Sequence, residues 1–416
     1  MIIVFSMKGN EMFLHLIEDE KFMSEMIALF KRCDPGNHQF VIMKQDAQCI
    51  LNHLNGVENV SFIQWQSQTC QQLQTKLSNY TAVFIHGLFN PCYVELVKKA
   101  SPEAVFVWVF WGGELLLFDR YRSSLLLLET RLLRLKHRAF PWLAVNFRKY
   151  GGMIRQGQFY QLIQSLFGLA KRTSAAQVSN LATNLKDAIK RMNYIIPIIE
   201  DDFFLLQKMF SPSAKRLTWN YSVGISLDRF KQRQVSKKNW LVGNSAHYTN
   251  NHIEIFRQLR KIKKFDAKII VPLSYGDLRY RETILRTGRR FWPDRFAPLL
   301  EFMPRDRYCD LINTCSCAFF NTRRQQAMGN IVLLLSLGVK IFLREENPAY
   351  RFLKRNELAI FSIQENISPS SVEVFEPLSE GTVESNRNIL RRLYGESAQW
   401  HRTMEMLNEL KEKSGK

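Results

Sequence analysis

At 416 residues, with 46% hydrophobic and 12% aromatic content, the chain is long enough for two cores and too apolar for global disorder. A formal net charge of +20 attracts polyanions: nucleic acid, an acidic membrane leaflet or phosphorylated substrates. The seven cysteines (Cys33, Cys49, Cys70, Cys92, Cys309, Cys315, Cys317) are odd in number and lack zinc-ligand spacing, so reduced, buried thiols are expected rather than a disulfide or zinc scaffold.

The opening "MIIVFSMKGNEM" is too short an apolar run for a signal peptide, and no segment approaches the roughly 18 to 20 uncharged residues of a membrane span. A soluble or peripheral protein is expected. Apolar, β-branched and aromatic runs follow at 12–17, 39–43, 60–63, 82–88 and 104–111, with helical patterns between them. Strand and helix alternating at this rhythm predict a parallel sheet covered on both faces.

Residues 115–192 break the rhythm. Between Leu115 and Arg172 lie eleven Lys and Arg, interleaved with leucines and aromatics. That pattern describes either an amphipathic helix pressed onto anionic lipid or a helix packed on its own domain with a solvated basic face. A nucleic-acid partner is not expected, because no binding module accompanies the charge. Strand patterns resume at 194–199 and 217–224, and the polar, basic stretch 226–239 reads as a linker. A second series follows at 240–246, 267–273, 298–303, 317–320 and 339–343, again with helices between. The expectation is an α/β protein of the GT-B type: two doubly wound, Rossmann-like domains facing a cleft, residues 1–228 with a helical insertion at about 115–192, and residues 229–416.

Open α/β sheets bind ligands beyond the carboxyl ends of their strands. The loops expected there are rich in Gly, amide and charged residues. After the strand at 240, Gly243 permits a tight turn, while Asn244, Ser245 and Thr249 either cap the next helix or donate to an anion near its positive end. Tyr275 lies in the following "SYGD" loop. Before an apolar helix, "NTRRQQAMGN" places Arg323, Arg324, Gln325, Gln326, Gly329 and Asn330. A diphosphate can be held by helix N-termini and one arginine without a metal, so these residues are candidate donor contacts, only one of the two arginines touching phosphate.

In the first domain Glu114 follows "FWGG", where glycines allow close approach and tryptophans form an apolar wall. A raised pKa there would suit a general base, and helix capping is the alternative. His86 ends a strand and is either a supporting contact or a structural hydrogen-bonding residue. Asp19 sits beyond the first strand, where a carboxylate could act as base or sugar ligand, or lie in a solvated turn. No GxGxxG, P-loop, HExxH, GxSxG or DxD motif is present, so neither a cofactor nor a metal is expected.

The strings "FIHGLFNP", "VFWGGELL", "VGNSAHYTNNHIEIFRQL", "IIVPLSYGD" and "YCDLINTCSCAFFNTRRQQAMGNIVLLLSLGVKIFLREENP" resemble the TDP-N-acetylfucosamine:lipid II N-acetylfucosaminyltransferases, glycosyltransferase family 56, over about 12–115 and 194–355. The resemblance implies a GT-B enzyme, peripheral on the cytoplasmic face of the bacterial inner membrane. It would move a 6-deoxy amino sugar from a TDP donor onto a polyprenyl-diphosphate-linked saccharide in surface polysaccharide synthesis. Where the family has Asp after tryptophan-glycine, this chain has Glu114, and the family's single arginine before two glutamines matches Arg324. Rival readings are a GT-B-fold epimerase or hydrolase of the nucleotide sugar, and a non-catalytic membrane scaffold.

Overall fold

The computed structural model describes residues 11–20, 22–44, 53–54, 56–137, 175–220, 238–262, 266–368 and 372–414. Two compact units emerge: the first comprises Met1–Leu116, Leu181–Arg229 and Leu390–Lys416, the second Leu117–Asn180 and Phe230–Ile389.

The first unit holds a seven-stranded sheet: β1 (Phe13–Leu16), β2 (His38–Lys44), β3 (Val60–Gln64), β4 (Ala82–His86), β5 (Phe106–Phe110), β6 (Tyr194–Pro197) and β7 (Lys215–Arg216). The order is β3-β2-β1-β4-β5-β6-β7, every pairing parallel. β4 and β5 read AVFIH and FVWVF and are buried throughout, as strands covered on both faces must be. The core on one face gathers Phe13, Phe30, Phe84 and Val109 with Met406, Leu407 and Leu410.

The second unit holds β8 (Asn239–Val242), β9 (Ile269–Pro272), β10 (Phe296–Leu299), β11 (Cys315–Phe320), β12 (Lys340–Leu343) and β13 (Ile360–Ser362), in the order β10-β9-β8-β11-β12-β13, again all parallel. From Ile331 onward the helix Met328–Ser336 is apolar on all sides and correspondingly buried. Strand order reverses between β1 and β4 in the first sheet and between β8 and β11 in the second. The crevice beyond the carboxyl ends at such a reversal is where this architecture takes ligands.

The partition differs from the sequence expectation at two places. The expected insertion at 115–192 does not stay wholly with the first unit. Leu126 joins the second core, the Leu127 amide donates to Asn251 at 2.9 Å, and Thr130 donates to both carboxylate oxygens of Glu254. The helical layer read at 138–174 lies outside the described residues. The final helix, Glu396–Ser414, packs on the first unit rather than the second: its apolar face enters that core, Trp219 donates to Thr403 at 2.9 Å, and Lys411 pairs with Asp34 at 3.0 Å.

Two strand expectations also change. The described part of the run expected at 217–224, residues 217–220, forms no strand: β7 ends at Arg216, and Leu217 and Trp219 turn into the core. β13 is too short, at three residues, to register as an apolar run. Six cysteines are free and buried, and Cys49 lies outside the described residues.

Candidate functional site

The second unit's loops meet at the β8/β11 reversal. Gly243 leaves β8 at φ 70, and a Cβ there would stand 2.5 Å from the buried His252 Nε2, so only glycine fits the turn. The chain then folds over its own amides. Asn250 accepts from the Asn244 amide at 3.2 Å and donates to the Ser245 carbonyl at 3.0 Å. Asn251, in the left-handed region at φ 48, precedes the helix His252–Leu259. The expected capping by Asn244, Ser245 and Thr249 is replaced by these bonds, and it is the His247 side chain that accepts from the Thr249 amide.

From the β11 side, Gln326 reaches into this loop. Its amide donates to Asn244 at 2.7 Å and to Asn250 at 3.3 Å, and its oxygen accepts from the Thr249 hydroxyl at 2.9 Å. Ala327 stands at φ 62 and starts the helix Met328–Ser336 with no side-chain cap, leaving amides of the first turn for another acceptor. Gly329 is exposed, with nothing within 4 Å of where a Cβ would lie, so space is open above that turn.

The two arginines differ. Arg323 donates to the Ser124 carbonyl at 2.8 Å and lies 3.9 Å from Glu346. Glu346 is already gripped by Arg344 through two bonds, at 3.0 and 3.1 Å. Burial opposes its charge, yet the Arg344 bonds outweigh burial and hold its carboxyl below the usual range. Arg324 bonds the Gln325 carbonyl at 3.1 Å and bears on His247, whose pKa falls to about 4 through burial first and the Arg324 charge second. Arg324 is therefore near the β8 loop, where Arg134 and Arg122 also bear on His247. Gln325 is buried with its side-chain oxygen unpartnered. Asn330 donates to the Tyr308 hydroxyl at 3.2 Å, and the exposed Tyr275 accepts from Asn244 at 3.3 Å.

In the first unit Glu114 is fully buried. One carboxylate oxygen accepts from the Trp111 amide at 3.1 Å and from the Leu88 amide and Trp108 indole at 3.3 Å, tying the loops after β4 and β5 together. The other has no partner. Burial lifts its pKa to about 7 against the pull of these donors. Gly87 and Gly112 flank it at φ 86 and φ 83. His86 is buried beneath, in a chain of imidazoles: His86 to His15 at 3.0 Å and His15 to His38 at 2.9 Å. Asp19 accepts from the His53 and Leu54 amides at 3.0 and 2.9 Å, an anchoring role for its loop.

Residues 185–379 match the family described as 4-alpha-L-fucosyltransferase, glycosyl transferase group 56. Over this segment the chain is similar to the group 56 glycosyltransferases. The matched residues carry every candidate donor contact from Gly243 to Asn330, whereas Glu114, His86 and Asp19 lie before them. Among solved structures, the chain resembles a glycosyltransferase from Rickettsia africae ESF-5 at TM-score 0.60 and 10% identity, covering 97% of this chain and 99% of that one. It also resembles Anabaena Alr3699/HepE in complex with UDP-glucose, at 0.55 and 8% over 97% and 98%. A third likeness is the E. coli trehalose-6-phosphate protein bound with UDP-2-fluoro glucose, at 0.56 and 9% over 96% and 99%. These likenesses give the chain the GT-B fold.

Sequence reasoning named Gln326 and Asn244 but passed over Asn250, Asn251 and Asn321, which carry most of the loop's internal bonds. The only signal was the repeated amide in "YTNNH", which reads equally as polar loop.

Proposed function

We propose that the enzyme moves a 6-deoxy amino sugar, N-acetylfucosamine or a close relative, from a TDP-type donor onto a polyprenyl-diphosphate-linked saccharide in surface polysaccharide synthesis. The observation that carries the donor half is the uncapped first turn of Met328–Ser336, with Arg324 on one side and the Gln326–Asn244 link on the other. Two phosphates resting there meet backbone amides, a positive helix end and one guanidinium, a combination that holds a diphosphate without a metal. The UDP-sugars bound in two similar structures support a nucleotide-sugar donor.

In transfer, the bond between the sugar's anomeric carbon and the diphosphate oxygen breaks, and its electron pair leaves with the diphosphate. Arg324 and the helix amides stabilise that charge as it grows. The acceptor hydroxyl attacks the same carbon and gives its proton to Glu114, whose unpartnered oxygen and pKa of about 7 suit a base near neutrality.

A lipid-linked acceptor brings the enzyme to the cytoplasmic face of the inner membrane. Leu128, Leu132 and Leu135, 71%, 56% and 55% exposed, form a stripe along helical residues 128–137, beside exposed Arg131 and Lys136. Such a face suits an anionic bilayer. Among the described residues no helix is long and apolar enough to cross a membrane.

The test is incubation with a panel of labelled nucleotide sugars and a polyprenyl-diphosphate glycan, with and without EDTA. Transfer from a TDP-6-deoxy amino sugar that EDTA leaves unchanged is expected; no transfer from any donor overturns the reading.

A further inference from the structure

Along the helix His252–Leu259 and at the C-terminal end of the helix Leu278–Phe291 lies a cavity of about 590 Å³. Arg257, Arg260, Lys261 and Arg290 line it, around the ring of Phe291. The guanidinium carbons of Arg260 and Arg290 sit 4.6 and 5.1 Å from that ring's centroid. Two carboxylates, Glu129 and Glu254, share the lining with these cations. Glu129 pairs with Arg257 at 2.6 Å, and both oxygens of Glu254 are taken by Thr130. Among the described residues, Arg260, Lys261 and Arg290 make no ion pair.

A helix C-terminus favours cations, which accounts for basic residues in each last turn. It does not account for four cations set against two carboxylates around one hollow, a surplus of positive charge that favours an entering anion. We propose that this cavity binds a phosphate group, at a second anion site separate from the donor loops. The cavity runs along the helix His252–Leu259, from Glu254 to the residues just past its end, and shares no lining residue with the donor loops. The phosphate comes either from a lipid headgroup or from a soluble phosphorylated compound. Planar guanidiniums suit its oxygens in pairs, and the Phe291 ring holds them in place.

The full-length protein is titrated with pyrophosphate by calorimetry. Two sites are expected in the wild type. Arg260→Ala/Arg290→Ala should lose one of them, with at least about tenfold weaker binding there. Nucleoside diphosphate binding at the donor loops should persist and report an intact fold. Arg324→Ala should lose the other site only, so a failed donor reading and a failed cavity reading give different patterns. Retention on phosphatidic acid vesicles by the wild type and not by the double variant identifies a headgroup as the source. Pyrophosphate binding without vesicle retention identifies a soluble phosphate. Identical pyrophosphate binding in the wild type and the double variant, in number of sites and affinity, overturns the proposal.

Discussion

Asn251 and Asn321 each donate a side-chain amide to the other's backbone carbonyl, at 3.0 and 2.9 Å, and so clamp the loop after β8 to the loop after β11. Both are buried, and Asn251 also accepts from Leu127 and donates to the Leu125 carbonyl. Asn251→Ala removes these bonds and places alanine at φ 48. The expected loss is about 2 to 5 kcal/mol, since each orphaned buried group costs about 1 to 3 and the left-handed residue about 1 to 2. Asn321→Ala keeps an ordinary backbone and should cost less. Denaturant unfolding of both variants measures the order, and a larger loss for Asn321→Ala would contradict it.

Two glycines should respond in opposite directions to the same change. Gly243→Ala forces a Cβ to 2.5 Å from His252 Nε2 at φ 70 and should destabilise by about 1 to 2 kcal/mol or more. Gly329→Ala meets nothing within 4 Å and lies in a helix, so it should stabilise by about 0.5 to 1 kcal/mol. The same methyl stands over the turn assigned to the donor phosphates, so nucleotide affinity should fall as thermal stability rises. Unchanged affinity in the stabilised variant would remove the phosphates from that turn.

The imidazole chain predicts acid lability. Burial holds His15 well below its ordinary pKa, His38 at about 4 and His86 at about 3. A histidine with a depressed folded pKa stays neutral in the fold while the unfolded chain takes up protons below about 6.5. Its contribution is complete above that pH and is lost as pH falls toward the folded value. From pH 6.5 to 4 each group should cost up to about 1.4 kcal/mol per pH unit. Replacing all three with apolar residues should flatten, without abolishing, the fall in unfolding midpoint across that window, because His247 and His252 in the second unit titrate similarly.

Most strands of both sheets were legible because β4, β5, β11 and β12 are short apolar runs bounded by Gly, Asn and Pro, and buried parallel strands read no other way. The destinations of Leu126 and the final helix were not, since an apolar face announces burial without naming the sheet that covers it. The donor loops were legible as polar strings after strands. Their internal wiring was hidden, because an Asn that clamps two backbones looks in sequence like an Asn in solvent. His86 shows the same limit: only the register of β1, β2 and β4 brings it into line with His15 and His38.

Glu114 titrates in the range where transfer would be assayed. Its folded pKa of about 7 exceeds the ordinary carboxylate value, so the fold favours the protonated form, and stability drawn from it is present at low pH and lost as pH rises from about 4.5 through 7. Glu114→Gln keeps a neutral side chain at all pH values and should gain on the wild type by about 3 kcal/mol between pH 5 and 8. Catalysis should run the other way. A base must be ionised, so the wild-type rate should climb through about pH 7, while Glu114→Gln should lose at least about a hundredfold and show no such rise. Glu114→Asp keeps the charge but shortens its reach, and should bind donor normally while turning over slowly. A flat wild-type profile, or Glu114→Gln retaining full turnover with its gain in stability, would reduce Glu114 to the tie between the β4 and β5 loops.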